Sequence, residues 1–98
     1  MNDNIFPAVL QAVAGTDYTV FAYMNDGTIR KVSLKNLIGQ GGVFEKLKDD
    51  EFFRNALTVM NDTVAWDLSG KFDPANCIDL DPFMIADCEA VADPLLAA

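Results

Sequence analysis

The stretch Tyr18-Thr-Val-Phe-Ala-Tyr-Met-Asn-Asp-Gly-Thr-Ile-Arg-Lys-Val-Ser-Leu34 constrains the fold more than any other part of this chain. Asp26-Gly27 separates two runs rich in β-branched and aromatic residues, a pattern that favours antiparallel pairing around a tight turn. If Asp26-Gly27 is a two-residue loop, Met24 faces Ile29 and Phe21 faces Val32. A three-residue loop beginning at Asn25 shifts the register by one and exchanges the partners. The sequence leaves both registers open.

Other elements follow from the same reasoning. Ala8–Val13, after Pro7 and before the turn-forming Ala14-Gly15-Thr16-Asp17, reads as a first strand near a sheet edge. Tyr18–Met24 and Thr28–Ser33 are the second and third. Leu34–Ile38 runs into Gly39-Gln-Gly-Gly42, which lacks the lysine and hydroxyl that a phosphate loop needs after its last glycine. A turn is the expectation there. Phe44 and Leu47 share one face of a helical turn, Val43–Leu47. Lys48-Asp49-Asp50 then offers a capping carboxylate for a short helix, Glu51–Leu57. Thr58–Met60 and Thr63–Trp66 flank Asn61-Asp62 as a second hairpin.

Beyond Trp66, Ser69-Gly70 marks a turn. Asp73-Pro74 and Asp81-Pro82 repeat one start signal, an aspartate cap before a proline. The first is expected to begin a turn or so. The second predicts a helix from Pro82 to about Ala92, carrying Phe83, Met84, Ile85, Ala86, Cys88 and Val91. So apolar a helix must pack on the sheet or on another subunit, which leaves room for a homodimer. The expected fold is therefore α+β: one domain over 1–98 with a core at 8–80. An antiparallel sheet of about five strands, in β-β-β-α-β-β order, carries short helices on one side. Residues 81–98 add a C-terminal helix and a loosely held tail.

Composition bounds the chemistry. Half of the 98 residues are hydrophobic, enough for one core. Charge is uneven. Residues 1–60 carry seven acids against six bases, a net of −1, whereas residues 61–98 carry eight acids against Lys71 alone, a net of −7. That field repels phosphate backbones and attracts a basic protein partner. The basic patch Arg30, Lys31 and Lys35 is explained by a solvated strand face. Met1-Asn-Asp-Asn4 lacks the basic and apolar features of a secretory signal, and no apolar run nears the ~20 residues of a membrane span. Cys77 and Cys88 are thus expected to be reduced thiols in a cytoplasmic protein. With no histidine, two thiols make no zinc site, and neither metal nor cofactor is expected. Trp66, Phe21, Phe44, Phe52 and Phe53 read as core packing.

Two functional classes compete. The first is a protein-interaction module whose partner-binding surface comprises Asp73, Asp79, Asp81, Phe83 and Asp87. The second is a carboxylate-based or metal-dependent enzyme using Asp73, Asp79 and Asp81, with Asp67. Asp73 and Asp81 already have capping duties, and so small a domain seldom builds a deep pocket. The expectation is that the protein is not an enzyme.

The residues Asp17-Tyr18, Asn25-Asp-Gly27, Arg30, Ser33-Leu34, Val43-Phe44, Leu47, Asp49, Phe53 and Val64-Ala-Trp66 also carry a resemblance. In order and spacing they resemble the bacterial domain-of-unknown-function family 2442 over roughly residues 8–80. Lys71 and Cys77-Ile78 depart from its pattern, which often has an acid and Leu-Tyr there. The resemblance implies an α+β domain of no established activity. Some members precede a helix-turn-helix, and others look like the smaller half of a gene pair reminiscent of toxin–antitoxin modules. Pro82–Ala98 is too short for a helix-turn-helix, so the resemblance implies an antitoxin-like or adaptor role without DNA binding.

Overall fold

The computed structural model describes residues 6–95. Strands β1 (Val9–Ala14), β2 (Thr19–Met24) and β3 (Ile29–Ser33) form an antiparallel meander. The β2–β3 loop has three residues, Asn25–Gly27, with Met24 N–H bonded to the Thr28 carbonyl at 2.9 Å. Gly27 lies at φ +88°, a position open to a residue without Cβ, and Asp26 Oδ1 accepts from both the N–H and the hydroxyl of Thr28. Of the two registers, the structure has the one that pairs Val20 with Val32. Both are buried, and the other register would set Val20 against Ser33. Strand β1 bulges between Val9 and Gln11, turning Leu10 outward.

Helix α1 (Lys35–Gln40) and a 3₁₀ helix (Gly42–Lys48) follow, then α2 (Asp50–Asn55). Asp49 caps α2, its carboxylate accepting from the N–H groups of Glu51 and Phe52. Strands β4 (Leu57–Met60) and β5 (Thr63–Asp67) are joined by Asn61-Asp62, both in the left-handed region, the signature of a type I′ turn.

The chain departs from the expected single sheet of five strands. Two further strands are β6 (Cys77–Asp79), paired with β5, and β7 (Glu89–Ala90), paired with β3. Among the described residues seven strands thus form a four-stranded sheet ordered β1-β2-β3-β7 and a three-stranded sheet ordered β4-β5-β6. The two sheets meet where Val9 N–H donates to the Asp62 carbonyl at 2.9 Å.

The long C-terminal helix is also corrected. Helix α3 spans only Pro82–Ala86, capped by Asp81, with Asp87 at its end. The Arg30 guanidinium takes the Cys88 carbonyl at 2.9 Å, and Val91 N–H donates to the Ile29 carbonyl. The open edge of β3 thus captures backbone groups that a continuing helix would have used itself. Asp73-Pro74, by contrast, begins a single turn as expected, with Asn76 N–H on the Asp73 carbonyl.

The core lies between the sheets and the short helices. Trp66 is fully buried, and its indole N–H donates to the Phe53 carbonyl at 2.9 Å. Phe53 packs tilted against Trp66, their ring centres 5.4 Å apart, and edge-on to Tyr18, while Leu34, Leu47 and Ile85 close the remaining space. Phe44 and Phe52 pack on this core only in part, and Phe21 is half-buried. The last turns of the described chain are tied down by Tyr23, whose hydroxyl donates to Asp93 at 2.5 Å.

Candidate partner-binding surface

The acidic C-terminal half is organised around Asp67, the last residue of β5. One carboxylate oxygen accepts from the N–H and hydroxyl of Ser69, and the other from Phe72 N–H. The Ser69 hydroxyl oxygen in turn accepts from the N–H groups of Lys71 and Asp73. These bonds hold the Asp67 carboxyl below the usual carboxylate range, the Ser69 hydroxyl contributing most. They also fold the 68–76 loop into a fixed knot from which Phe72 projects, at φ +58° and 59% exposed.

The loop delivers the chain to β6, where Cys77 stands opposite Asp67. Burial pushes the Cys77 thiol up, and the charges of Asp79, Asp67 and Asp73 push it further. Asp79 neighbours the thiol along β6, Asp67 stands across from it on β5, and Asp73 lies in the loop before the strand. A thiol so placed is a poor nucleophile. Beside β6 an apolar groove of about 260 Å³ is lined by Val43, Phe44, Lys46, Leu68, Cys77, Ile78 and Asp79. Val43 and Leu68 are 69% and 40% exposed there. The Lys46 ammonium is drawn over the Phe52 ring, 5.0 Å from its centre.

The five residues expected to share a binding surface do not form one patch. Asp73 and Asp79 belong to the β6 region, Asp73 also capping Ala75 N–H. Asp81 is committed to capping α3 through Phe83 N–H. Phe83 and Asp87 line a separate groove of about 310 Å³ with Pro7, Met24 and Arg30, and Phe83 packs edge-on against Phe6. A third groove, about 660 Å³, runs between α2 and the 68–76 loop, with Asp49, Glu51, Phe52 and Phe72 in its walls. Among the described residues no three histidine, cysteine or acidic side chains are grouped so as to hold a metal ion, and no helix is long and apolar enough to cross a membrane.

Leu68 carries no signal in the sequence because it sits in an irregular stretch with no periodicity to mark it, and Val43 and Ile78, though noted there, are not linked to a groove by it. Val43-Phe44, Asp79 and the departure at Cys77-Ile78 are the sequence signals that touch the groove. No family model matches the chain, and comparison with curated proteins and with solved structures gives no match either.

Proposed function

We propose that this protein is a non-enzymatic interaction module of the bacterial cytoplasm, related to family 2442, that engages a basic protein partner through its β6 side. The observation that supports this reading is that Asp79 borders an apolar groove on β6, while Asp67 stands across from Cys77 on β5 and Asp73 lies in the loop that leads into the strand. Opposite charge speeds encounter, and the apolar wall supplies affinity once water is excluded. The adaptor or antitoxin-like role implied by the family resemblance is compatible with such a surface. Three of the four carboxylates weighed as acid–base groups are otherwise engaged: Asp67 and Asp73 in the loop knot, Asp81 in its cap.

The test uses wild-type protein and the double variant Asp73→Asn/Asp79→Asn as baits in native lysate at low and moderate salt. A basic protein retained by wild type at low salt, and lost both with the variant and on adding salt, supports the reading. Identical recovery on both baits, or no specific recovery, overturns it.

A further inference from the structure

The backbone of β6 is open on its outer side. Leu68 N–H bonds the Asn76 carbonyl at 3.1 Å, and Leu80 N–H bonds the Val64 carbonyl at 3.1 Å. Bonded pairs alternate along an antiparallel ladder, so Ile78 shares the bonded position with Trp66 between them. Cys77 and Asp79 must then direct their N–H and C=O groups away from β5. Among the described residues no other group bonds them. The same alternation sorts the side chains. Ile78 and Leu68 lie on the face of β5 and β6 that carries Trp66, where Val43 and Phe44 wall the groove. The side chains of Asp79, Cys77 and Asp67 point to the opposite face, and Cys77 and Asp79 border the groove along the edge of β6.

Building on the proposed basic partner, we infer that β6 accepts an extended partner segment as an added strand, with alternating apolar and basic side chains. Its apolar residues enter the groove between Leu68, Ile78 and Val43, and its basic residues reach Asp79 and Asp67. Backbone bonds to Cys77 and Asp79 set its position, as in other strand additions to a sheet edge. A second copy of this chain is excluded by charge, because pairing β6 with β6 would bring the two sets of carboxylates together. At three residues, β6 is also short for self-association; short edges are one of the devices that prevent it. An added strand needs both the anchor and the opposite charge.

The probe is a six-residue peptide of alternating valine and lysine, with a valine–glutamate peptide as control. Amide hydrogen exchange is read residue by residue on the whole protein. The lysine peptide is expected to slow exchange at Cys77 and Asp79 about tenfold while leaving Ile78, already bonded, unchanged. The glutamate peptide is expected to leave all three unchanged, and Asp79→Lys to reverse the preference. Leu68→Ser is expected to weaken the lysine peptide without altering exchange in the free protein. If the lysine peptide binds and exchange at Cys77 and Asp79 stays fast, strand addition is wrong while the basic-partner reading stands. Equal protection by both peptides, or none by either, also overturns the inference. Loss of the basic-partner reading itself is read separately, from the Asp73→Asn/Asp79→Asn baits.

Discussion

At the scale of single residues, side-chain chemistry decides where the backbone takes costly conformations. Asn61 and Asp62 hold left-handed φ values of 56° and 62°, which a type I′ turn demands of both its central residues. The second of these positions favours glycine, and Asp62 makes its contact with β1 through the backbone carbonyl alone. Asp62→Gly is therefore expected to stabilise by about 0.5 kcal/mol, a rise of ~2–4 °C in Tm in a thermal melt. A fall in Tm would show that the aspartate side chain has work the turn geometry does not reveal. Asp67 supplies the second residue-scale case. Its carboxyl is depressed in the fold, so ionised Asp67 contributes stability above the ordinary carboxylate pKa, and that contribution is lost as pH falls through the folded value. Asp67→Asn is expected to melt lower than wild type at neutral pH, with the gap narrowing below about pH 4. Residues of this kind were readable in advance. The Asn61-Asp62 turn, an aspartate cap within Lys48-Asp49-Asp50 and buried Trp66 each follow from local chemistry; the structure makes Asp49 the cap by starting the helix one residue early, at Asp50. Phe72 is not readable in this way: a phenylalanine at φ +58° contradicts its own steric preference, and the bonds that Phe72 N–H donates to Asp67 and Asp73 N–H donates to Ser69 impose it.

At the scale of elements, local signals set where helices begin, and distant partners set where they end. Asp81-Pro82 opens α3 as its sequence says, yet the apolar run to Val91 does not keep it helical. Arg30, 58 residues away in sequence, takes the Cys88 carbonyl and turns Glu89–Ala90 into an edge strand. No windowed pattern contains that pairing, which is why the sequence predicts too long a helix there. The same reason hides β6: three residues with one inward isoleucine carry too little alternation to register, and they pair only because β5 offers them an edge. If Arg30 holds β7 in place, Arg30→Ala should cost about 1.5–3 kcal/mol locally, the range for bonds to charged groups. Amide exchange at Val91 is expected to rise about tenfold or more, while exchange at Val20 and Val32 tracks global unfolding alone. Unchanged protection at Val91 would mean that the edge of β3 suffices without the guanidinium.

At the scale of the whole molecule, charge and packing pull in opposite directions. The two sheets close over one core centred on Trp66 and Phe53, while the surface carries a net charge of −8. The ion pairs found among the described residues, Asp17–Lys35, Glu45–Lys48 and Asp50–Arg54, are all exposed, and all fall before β5. Exposed pairs of this kind contribute little. The acids from Asp62 onward, set against Lys71 alone in that half, therefore repel one another, and the folded state, which brings them closest, bears most of that repulsion. Added salt, with a screening length of about 10 Å at 0.1 M, should raise the Tm of the free protein by a few degrees. The proposed partner contact should respond with the opposite sign, since its basic residues are drawn by the same carboxylates. Melting curves and lysine-peptide binding, measured over one salt series, would then diverge: stability climbing while affinity falls. Were both to fall together, attraction within the fold would outweigh repulsion. The acidic half would then be an internal stabiliser and not a surface held ready for another chain.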